Sequence, residues 1–423
     1  MHDPSLQAVR RAAAFESTVL ENGLTVRVHT MPGFTGVHAV YGTKFGSIDR
    51  AFALDGKRVD LPAGIAHFLE HKMFENEEGD AFTLYARTGA SANAYTSFDK
   101  TCYIFTASGN VAENLDILLG FVSRPYFTAA TVEKEQGIIG QEIRMCDDDP
   151  GWRVFFNMLC GLYQKHPVRI DIAGTIESIA QITDDLLYRC YRTFYNLHNM
   201  VLAVAGNCTV DEVLEVADRL LKPCDDQKLE TVFPEETLDI VRPETVETAA
   251  VGQPLFNLGI KCQPRSGMDN LRAEMQAHIA MLTLSGSSSL LYQEMLQSGL
   301  VNESFSSEVF NGDGFFTMIF GGESRDPKAV REKITAAILD AQKNGLDETM
   351  FTECKKTTYG NLVREQNNVS AVTNALVASH MAGCGLYDTM QVLSEMTLED
   401  CNCFLREEVD VERMTLSIIA PAK

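Results

Sequence analysis

The sequence predicts an α+β protein of two homologous domains, each a mostly antiparallel sheet covered by helices. Three observations support this fold class. Apolar residues make up 45% of the 423 residues, enough for sizeable cores. Short alternating stretches bounded by turn residues predict strands, and longer stretches with helical spacing predict helices. A hairpin pattern followed by a helix pattern occurs at residues 89–123 and returns at residues 304–344.

An acidic stretch containing prolines separates the two halves of the sequence. Residues 223–247 contain three prolines and lack a helical or strand period. This composition predicts an extended, solvated crossing between domains. We therefore expect a first domain at 1–222, an acidic linker at 223–247 and a second domain at 248–423.

In the first half, strands are predicted before, between and after the helices. Asn22-Gly23 is a strong signal for a hairpin turn. The strands are expected at residues 17–20, 24–29, 37–43, 89–96, 101–107 and 200–205. The helices are expected at residues 65–74, 80–87, 110–123, 131–145, 152–162, 184–194 and 210–221.

The second half is predicted to repeat this order. Its strands are expected at residues 249–262, 304–310, 315–320 and 414–419. Its helices are expected at residues 269–284, 287–296, 327–344, 346–364, 369–381 and 398–408. We expect the helix at 287–296 to take the place of the helix at 65–74. It carries no histidine pair, so no second metal site is expected.

The helix at 65–74 carries His67, Glu70 and His71 in the order H-x-x-E-H. On a helix the two histidines lie about 40° apart around the axis, and Glu70 lies about 60° to the other side of His67. All three side chains therefore share one face. Two imidazoles and an adjacent carboxylate are the groups of a catalytic zinc site, in which the carboxylate serves as a base. The order of the residues is the inverzincin signature.

A pair of histidines four residues apart also arises by chance, and a short motif alone is only a hypothesis. The flanking residues favour the metal. Ile65, Phe68 and Leu69 are apolar, so the polar face borders a buried one. A charged glutamate in that setting needs a partner, and a metal ion supplies one.

A tetrahedral catalytic site needs a third protein ligand. The helix predicted at 131–145 carries Glu135 and Glu142, seven residues apart and therefore two turns along one face. Glu142 follows His71 by 71 residues.

These motifs together resemble the pitrilysin–insulinase family of zinc metallopeptidases. The resemblance implies that His67, His71 and Glu142 bind one Zn²⁺ ion per chain. It implies that Glu70 is the general base and that Glu135 is a supporting acidic residue of the catalytic group. The residues Gly46-Ser47-Ile48-Asp49 and the stretch 166–178 also resemble family patterns.

Asn93-Ala94-Tyr95-Thr96 resembles the N-A-x-T strand that lies near the active site in this family. The residues before it are small, as at a sheet edge that another backbone approaches closely. Such an edge suits capture of a peptide as an added strand. We therefore expect Asn93, Ala94, Tyr95 and Thr96 to bind substrate. The alternative is a strand packed under a helix.

Many family members carry an arginine and a tyrosine in the second half that contact substrate. The corresponding positions here are near Leu296 and Asn302, so both side chains are missing. The small bacterial and mitochondrial-processing members work as paired subunits. The resemblance therefore implies a metal-bearing subunit that needs a homologous sister subunit. Alternatively, Arg265 or Tyr292 replaces the missing pair.

Charge and composition exclude several classes of function. The formal net charge of −22 argues against nucleic-acid binding and against anionic membranes. We find no run of 18 apolar residues and no apolar signal-peptide core near residue 1, so we expect a cytoplasmic protein without a membrane span. The 11 cysteines are odd in number and scattered, which favours reduced, mostly buried thiols.

The function implied by the resemblance is that of a zinc-dependent endopeptidase acting on peptides or unfolded segments. The alternative is a non-catalytic structural or assembly subunit that shares the peptidase fold. The intact set of His67, Glu70, His71 and Glu142 argues against that alternative.

Overall fold

The computed structural model describes residues 15–54, 56–77, 79–227 and 229–422. They form two compact units, each drawn from three stretches of chain. The first unit contains the described residues up to Ile143, with Asp171–Phe233 and Leu362–Leu386. The second contains Arg144–Ile170, Pro234–Asn361 and the described residues from Tyr387 on. Each half of the sequence thus contributes to both units, and the domain bounds expected from sequence stay a prediction.

The strands are named in chain order. They are β1 (Glu16–Val19), β2 (Thr25–Thr30), β3 (Val37–Thr43), β4 (Ala51–Leu54), β5 (Lys57–Asp60), β6 (Glu75–Asn76), β7 (Gly79–Asp80), β8 (Ser91–Thr96), β9 (Thr101–Ala107), β10 (Met200–Gly206), β11 (Glu230–Thr231), β12 (Glu244–Ala249), β13 (Leu255–Lys261), β14 (Ser306–Gly312), β15 (Phe315–Glu323) and β16 (Met414–Pro421).

The α-helices are named in the same way. They are α1 (Ile65–Met73), α2 (Ala81–Thr88), α3 (Val111–Val122), α4 (Ala129–Asp148), α5 (Pro150–Leu162), α6 (Ile176–Ile179), α7 (Asp184–Phe194), α8 (Val210–Leu220), α9 (Gly267–Ser285), α10 (Leu290–Gln297), α11 (Pro327–Asn344), α12 (Glu348–Glu365), α13 (Val369–Met381), α14 (Asp388–Glu395) and α15 (Leu398–Glu408).

The first unit is built on a six-stranded sheet with the order β1-β2-β10-β3-β9-β8. β10 runs parallel to β2, and the other pairings are antiparallel. The central strands β3 and β10 are buried along their whole length. Both are nearly continuous apolar runs, as expected of strands that are covered on both faces. α13 contacts both of them, and α1 lies against the edge strand β8.

The second unit repeats this arrangement with a five-stranded sheet of order β12-β16-β13-β15-β14. β12 and β16 are parallel, and the remaining pairs are antiparallel. These five strands match β2-β10-β3-β9-β8 in order and direction. The predicted α+β fold of two homologous, mostly antiparallel halves is confirmed.

The expected strand at 249–262 is wrong as a single element. The expected range contains the last residue of β12, Ala249, and all of β13, and β16 lies between these two strands in the sheet. Gly252 and Pro254 lie between the two strands. Proline has no N–H to give to a ladder, so the pairing stops before it.

The helix at 287–296 does not take the place of α1. In the first unit α1 lies against the edge strand β8, and in the second unit α9 lies against the edge strand β14. α9 is therefore the counterpart of α1, and α10 follows it as α2 follows α1. The hairpin of β4 and β5 and the helix α14 were not expected from the sequence.

Residues 223–247 are not solvated throughout. β11 pairs with β4, and Val232 donates its N–H to the carbonyl of Ala51. The side chain of Glu236 is 8% exposed and forms an ion pair with Lys261. The expectation of an extended, solvated crossing is therefore wrong at these points, because backbone pairing and a buried ion pair hold the chain.

Candidate metal centre

α1 begins at a position that requires glycine. Gly64 has a φ of +84°, and a Cβ there would lie 2.2 Å from the carbonyl oxygen of Ala173. A Cβ on Gly174 would lie 2.5 Å from the carbonyl oxygen of Ala63. Ser178 Oγ also donates to the Ala63 carbonyl at 2.9 Å. The segment containing these three later residues therefore fixes where α1 starts.

Three side chains from α1 and α4 converge. Nε2 of His67 lies 3.5 Å from Oε1 of Glu142, and Nε2 of His71 lies 3.6 Å from Oε2 of the same carboxylate. Within the described parts of the chain, these three residues are the one group of His, Cys, Asp or Glu found with metal-binding geometry, with their ligand atoms within 4.8 Å of one another. The two histidines reach one point because they are one helical turn apart.

These separations fit a zinc ion. Ligand atoms about 2.0–2.2 Å from zinc at tetrahedral angles are about 3.4 Å apart. Two imidazole nitrogens and one carboxylate oxygen are also the protein ligands of catalytic zinc sites that leave a fourth position open. The residues present therefore suit Zn²⁺ in both spacing and chemistry.

Glu135 orients one of the two histidines. Its Oε1 lies 3.0 Å from Nδ1 of His71, which donates to the carboxylate. With the proton on Nδ1, the lone pair of Nε2 points toward the site. Nδ1 of His67 is buried, and none of the residues that the structure describes is its hydrogen-bond partner. His71 is therefore held by α4, whereas His67 is oriented without such a bond.

Negative charge surrounds His71. Burial by itself lowers the pKa of His71, but the hydrogen bond with Glu135 and the charges of Glu70, Glu135 and Glu142 raise it above its usual value. The hydrogen bond to the His67 imidazole lowers the pKa of Glu142, although burial opposes this change. Both pKa shifts arise from attraction between the carboxylates and the positively charged form of a histidine. The same negative potential favours a metal cation.

Glu70 lies on α1 between the two histidines and is 8% exposed. Oγ1 of Thr96 donates to Oε2 of Glu70 at 2.7 Å. Sequence reasoning placed Thr96 near the site but missed this contact, because strand periodicity does not say what a side chain meets across the fold.

The four residues expected to bind substrate lie on β8, which is an edge strand. Ala94 packs against the core, and the hydroxyl of Thr96 meets Glu70. Oδ1 of Asn93 accepts the backbone N–H of Ala94 at 2.9 Å, and Tyr95 lies opposite Cys102 on β9. Of the four side chains, Thr96 is the one with a hydrogen bond to a predicted metal-binding or catalytic residue among the described contacts.

In the second unit, Asn302 and Arg265, both named in the sequence analysis, have local partners. Nδ2 of Asn302 donates to Glu323 at 2.6 Å. Arg265 pairs with Glu408 at 2.5 Å, and Tyr292 is 8% exposed. Arg265 and Tyr292 are therefore engaged within the second unit.

The fold and this site define a protein of the inverzincin type, with the H-x-x-E-H helix on one of two related α+β units. Two family models match the chain. Residues 56–176 match the model described as Insulinase (Peptidase family M16), and residues 181–358 match the one described as Peptidase M16 inactive domain. The chain belongs to the insulinase family, peptidase family M16.

Two curated relatives are similar to this chain. One, from Bacillus subtilis (strain 168), is described as uncharacterized zinc protease YmfH and is 39% identical over 411 residues, 95% of each chain. Another, from Schizosaccharomyces pombe, is described as a probable mitochondrial-processing peptidase subunit beta. It is 31% identical over 209 residues, 48% of this chain and 44% of the relative. These names support the assignment of the chain to a class of zinc proteases.

Solved structures agree on the fold. An M16-like peptidase from Alicyclobacillus acidocaldarius superposes with a TM-score of 0.95 at 34% identity, covering 100% of both chains. Pitrilysin superposes with a TM-score of 0.75 at 15% identity, covering 96% of this chain and 45% of pitrilysin. No helix in the described ranges is both long and apolar enough to cross a membrane.

Proposed function

We propose that this chain is a zinc-dependent endopeptidase that acts on peptides or unfolded segments, with one zinc ion held by His67, His71 and Glu142. The observation that carries the proposal is the convergence of these three donors within 4.8 Å, beside a buried glutamate on the same helix. Membership of a peptidase family whose relatives are named zinc proteases supports it.

Zinc, when bound, supplies Lewis-acid chemistry that draws electrons from a carbonyl group and makes water more acidic. Glu70 accepts the proton of the attacking water as general base and returns it to the departing amine as general acid. Glu135 keeps His71 in the tautomer with a free Nε2. The low exposure of Glu70, at 8%, limits competing proton exchange with solvent.

We propose that substrate binds as an added strand along β8. An edge strand presents unpaired backbone groups, and a peptide in extended form can pair with them. β8 lies against α1, and Thr96 at its end touches Glu70, so a peptide paired there would run toward the metal-binding residues. Backbone pairing of this kind selects for unfolded segments, because a folded substrate has few free backbone groups.

We further propose that the chain is the metal-bearing subunit of a pair with a homologous sister subunit. The expected positions of the substrate-contacting arginine and tyrosine are near Leu296 and Asn302, and Asn302 donates a hydrogen bond to Glu323. Arg265 is paired with Glu408, so it is not free to replace the arginine. The relative from S. pombe is named as a subunit, which is consistent with pairing.

We propose that the protein is cytoplasmic. Buried thiols support this assignment: burial raises the pKa of Cys190 and of Cys208 to about 12, so both stay protonated at neutral pH. Neither forms a disulfide. Reduced, inert thiols of this kind are typical of reducing compartments.

The deciding experiment combines zinc analysis with a peptide assay. Elemental analysis should give about one zinc per chain, and His71→Ala should lose most of it because a ligand is gone. Glu70→Gln should keep its zinc. Its hydrolysis of an unstructured peptide, assayed with the sister subunit present, should fall by about 10²-fold or more. Glu133→Gln, an exposed glutamate on α4, is the control and should change neither quantity.

Full zinc in His71→Ala would remove the ligand assignment. Unchanged hydrolysis by Glu70→Gln would remove Glu70 from the mechanism. A wild-type chain that binds no zinc and cleaves nothing would instead favour the non-catalytic assembly subunit.

A further inference from the structure

Glu70 receives a defined hydrogen bond from the end of the edge strand. The donor is Oγ1 of Thr96, 2.7 Å from Oε2 of Glu70. Among the hydrogen bonds of the described residues, this is the one that reaches the Glu70 carboxylate from a side chain. Among the described residues, no side chain donates a hydrogen bond to the other oxygen, Oε1 of Glu70.

The backbone position of Thr96 is fixed by the turn between β8 and β9. Ser97 donates its N–H to the carbonyl of Lys100 at 2.8 Å, which closes the turn. Thr96 lies opposite Thr101 in the register. Thr101 is fully buried, and its Oγ1 donates to the carbonyl of Phe45 at 2.8 Å. The backbone that carries Thr96 is therefore tied to residues before α1.

The loop at residues 45–49 completes this support. Ser47 donates its N–H to the carbonyl of Ser97, and Ile48 donates to that of Phe98, both at 3.0 Å. Gly46 donates to Oδ2 of Asp49 at 2.7 Å. A Cβ on Gly46 would lie 2.4 Å from the carbonyl carbon and oxygen of Phe98, so the contact requires glycine.

We infer that Thr96 is a positioning residue for Glu70 rather than a substrate contact, and that the loop at 45–49 holds the turn that places its hydroxyl. This inference rests on the proposed function, in which Glu70 is the general base. It also assigns a structural role to Gly46-Ser47-Ile48-Asp49, which the sequence analysis identified by its resemblance to a family pattern.

The physical reason is the freedom of a glutamate side chain. Three torsions separate its carboxylate from the backbone, and a base must lie within hydrogen-bond reach of the proton that it abstracts. Anchoring one oxygen to a rigid hydroxyl restricts the other oxygen to a small region. A displacement of about 1 Å in such a group can cost about 10²-fold in rate.

The test compares Thr96→Val with Thr96→Ser. Valine keeps the shape but has no donor, so we expect kcat to fall about 10- to 100-fold with KM changed by less than about two-fold. Serine restores the hydroxyl and should recover most of kcat. Thr106→Val is the matched control, because it removes a hydroxyl on the same hairpin that bonds to His38 at 2.8 Å instead of Glu70.

Two readouts do not depend on activity. The zinc content of Thr96→Val should equal that of the wild type, since no ligand is touched. Crystal structures of wild type and Thr96→Val should show one Glu70 rotamer in the first and a displaced or multiple Glu70 carboxylate in the second. If Thr96→Val does not fold, Thr96→Ala serves for the same comparisons.

An effect on KM alone would overturn the inference in favour of substrate contact, and so would failure of serine to restore kcat. An unchanged Glu70 rotamer in the Thr96→Val crystal would also overturn it. This last result is independent of catalysis, so it separates failure of the positioning role from failure of the proposed peptidase activity.

Discussion

Among single residues, Glu236 is a carboxylate with an unusually complete set of donors. It accepts backbone N–H groups from Gln164, Lys165 and His166 at 2.7–2.9 Å. Nζ of Lys261 also donates to it at 2.6 Å. Burial by itself raises the pKa of Glu236, but the bonds from Lys261 and the three backbone groups lower it to about 2. The ionised form is thus strongly preferred in the folded second unit.

This preference predicts a stability that depends on pH. The folded pKa of Glu236 is depressed, so its contribution is fully present above the unfolded value of about 4.3 and is lost as the pH falls toward 2. The melting temperature should therefore fall between pH 5 and pH 2, and less steeply in Glu236→Gln, which has no such proton to bind. Scanning calorimetry across this range measures it. Glu235→Gln, at an exposed neighbour, should follow the wild type; parallel curves for all three proteins would contradict the prediction.

Among the elements, the start of α1 depends on how the residues before its first turn contact Ala173 and Gly174. Gly64 sits against Ala173, and Gly174 sits against Ala63, so two backbones touch where neither position has room for a side chain. The helix has no side-chain cap at Gly64. Its start is therefore set by close backbone packing rather than by capping.

Gly64→Ala should disrupt this contact. A left-handed φ costs an alanine about 1–2 kcal/mol, and the overlap with the Ala173 carbonyl adds about 1–3 kcal/mol. Gly33→Ala is the matched control, because Gly33 has a φ of +90° and nothing within 4 Å of its Cβ position. Thermal unfolding should show a larger loss for Gly64→Ala, together with lower zinc content. Equal losses in the two variants would show that the clash is relieved at no cost.

At the scale of the whole molecule, the proposed pairing rests on a complete set of candidate zinc ligands and on an incomplete set of the proposed substrate contacts. His67, His71 and Glu142 converge in the first unit. The proposal of a split site places Leu296 and Asn302 near the positions at which the family pattern has arginine and tyrosine. A peptide must be oriented for its carbonyl to react, and orientation can supply several kcal/mol of the barrier.

The purified chain alone should therefore hydrolyse an unstructured peptide library weakly, and a homologous sister subunit should raise the rate by on the order of 10²-fold. Size-exclusion chromatography should show a complex of the two. The Glu70→Gln chain with the same partner is the control, and it should stay inactive if the chemistry belongs to this chain. Robust turnover by an isolated monomer would refute the split site and leave the zinc chemistry intact.

Local patterns predicted much of the fold. Strands β3 and β9 and helices α7, α11, α13 and α15 have the bounds expected from periodicity and turn residues. Such elements are predictable because their apolar spacing and turn chemistry act over a few residues. The division of the chain into units is different, because α13 contacts β3 and β10, which both come from the first half of the sequence. Nothing in the local pattern of α13 indicates which sheet it covers.

For the site, the sequence by itself determined the zinc-ligand candidates, because a helical period places His67 and His71 one turn apart and a family spacing identifies Glu142. The tertiary structure decided the rest. It brought Thr96 to Glu70, Glu135 to His71 and Ala173 to Gly64, and it showed α9 rather than α10 beside the second edge strand. These contacts join residues far apart in the chain. Their partners are chosen by how sheets and helices pack, which short-range periodicity does not encode.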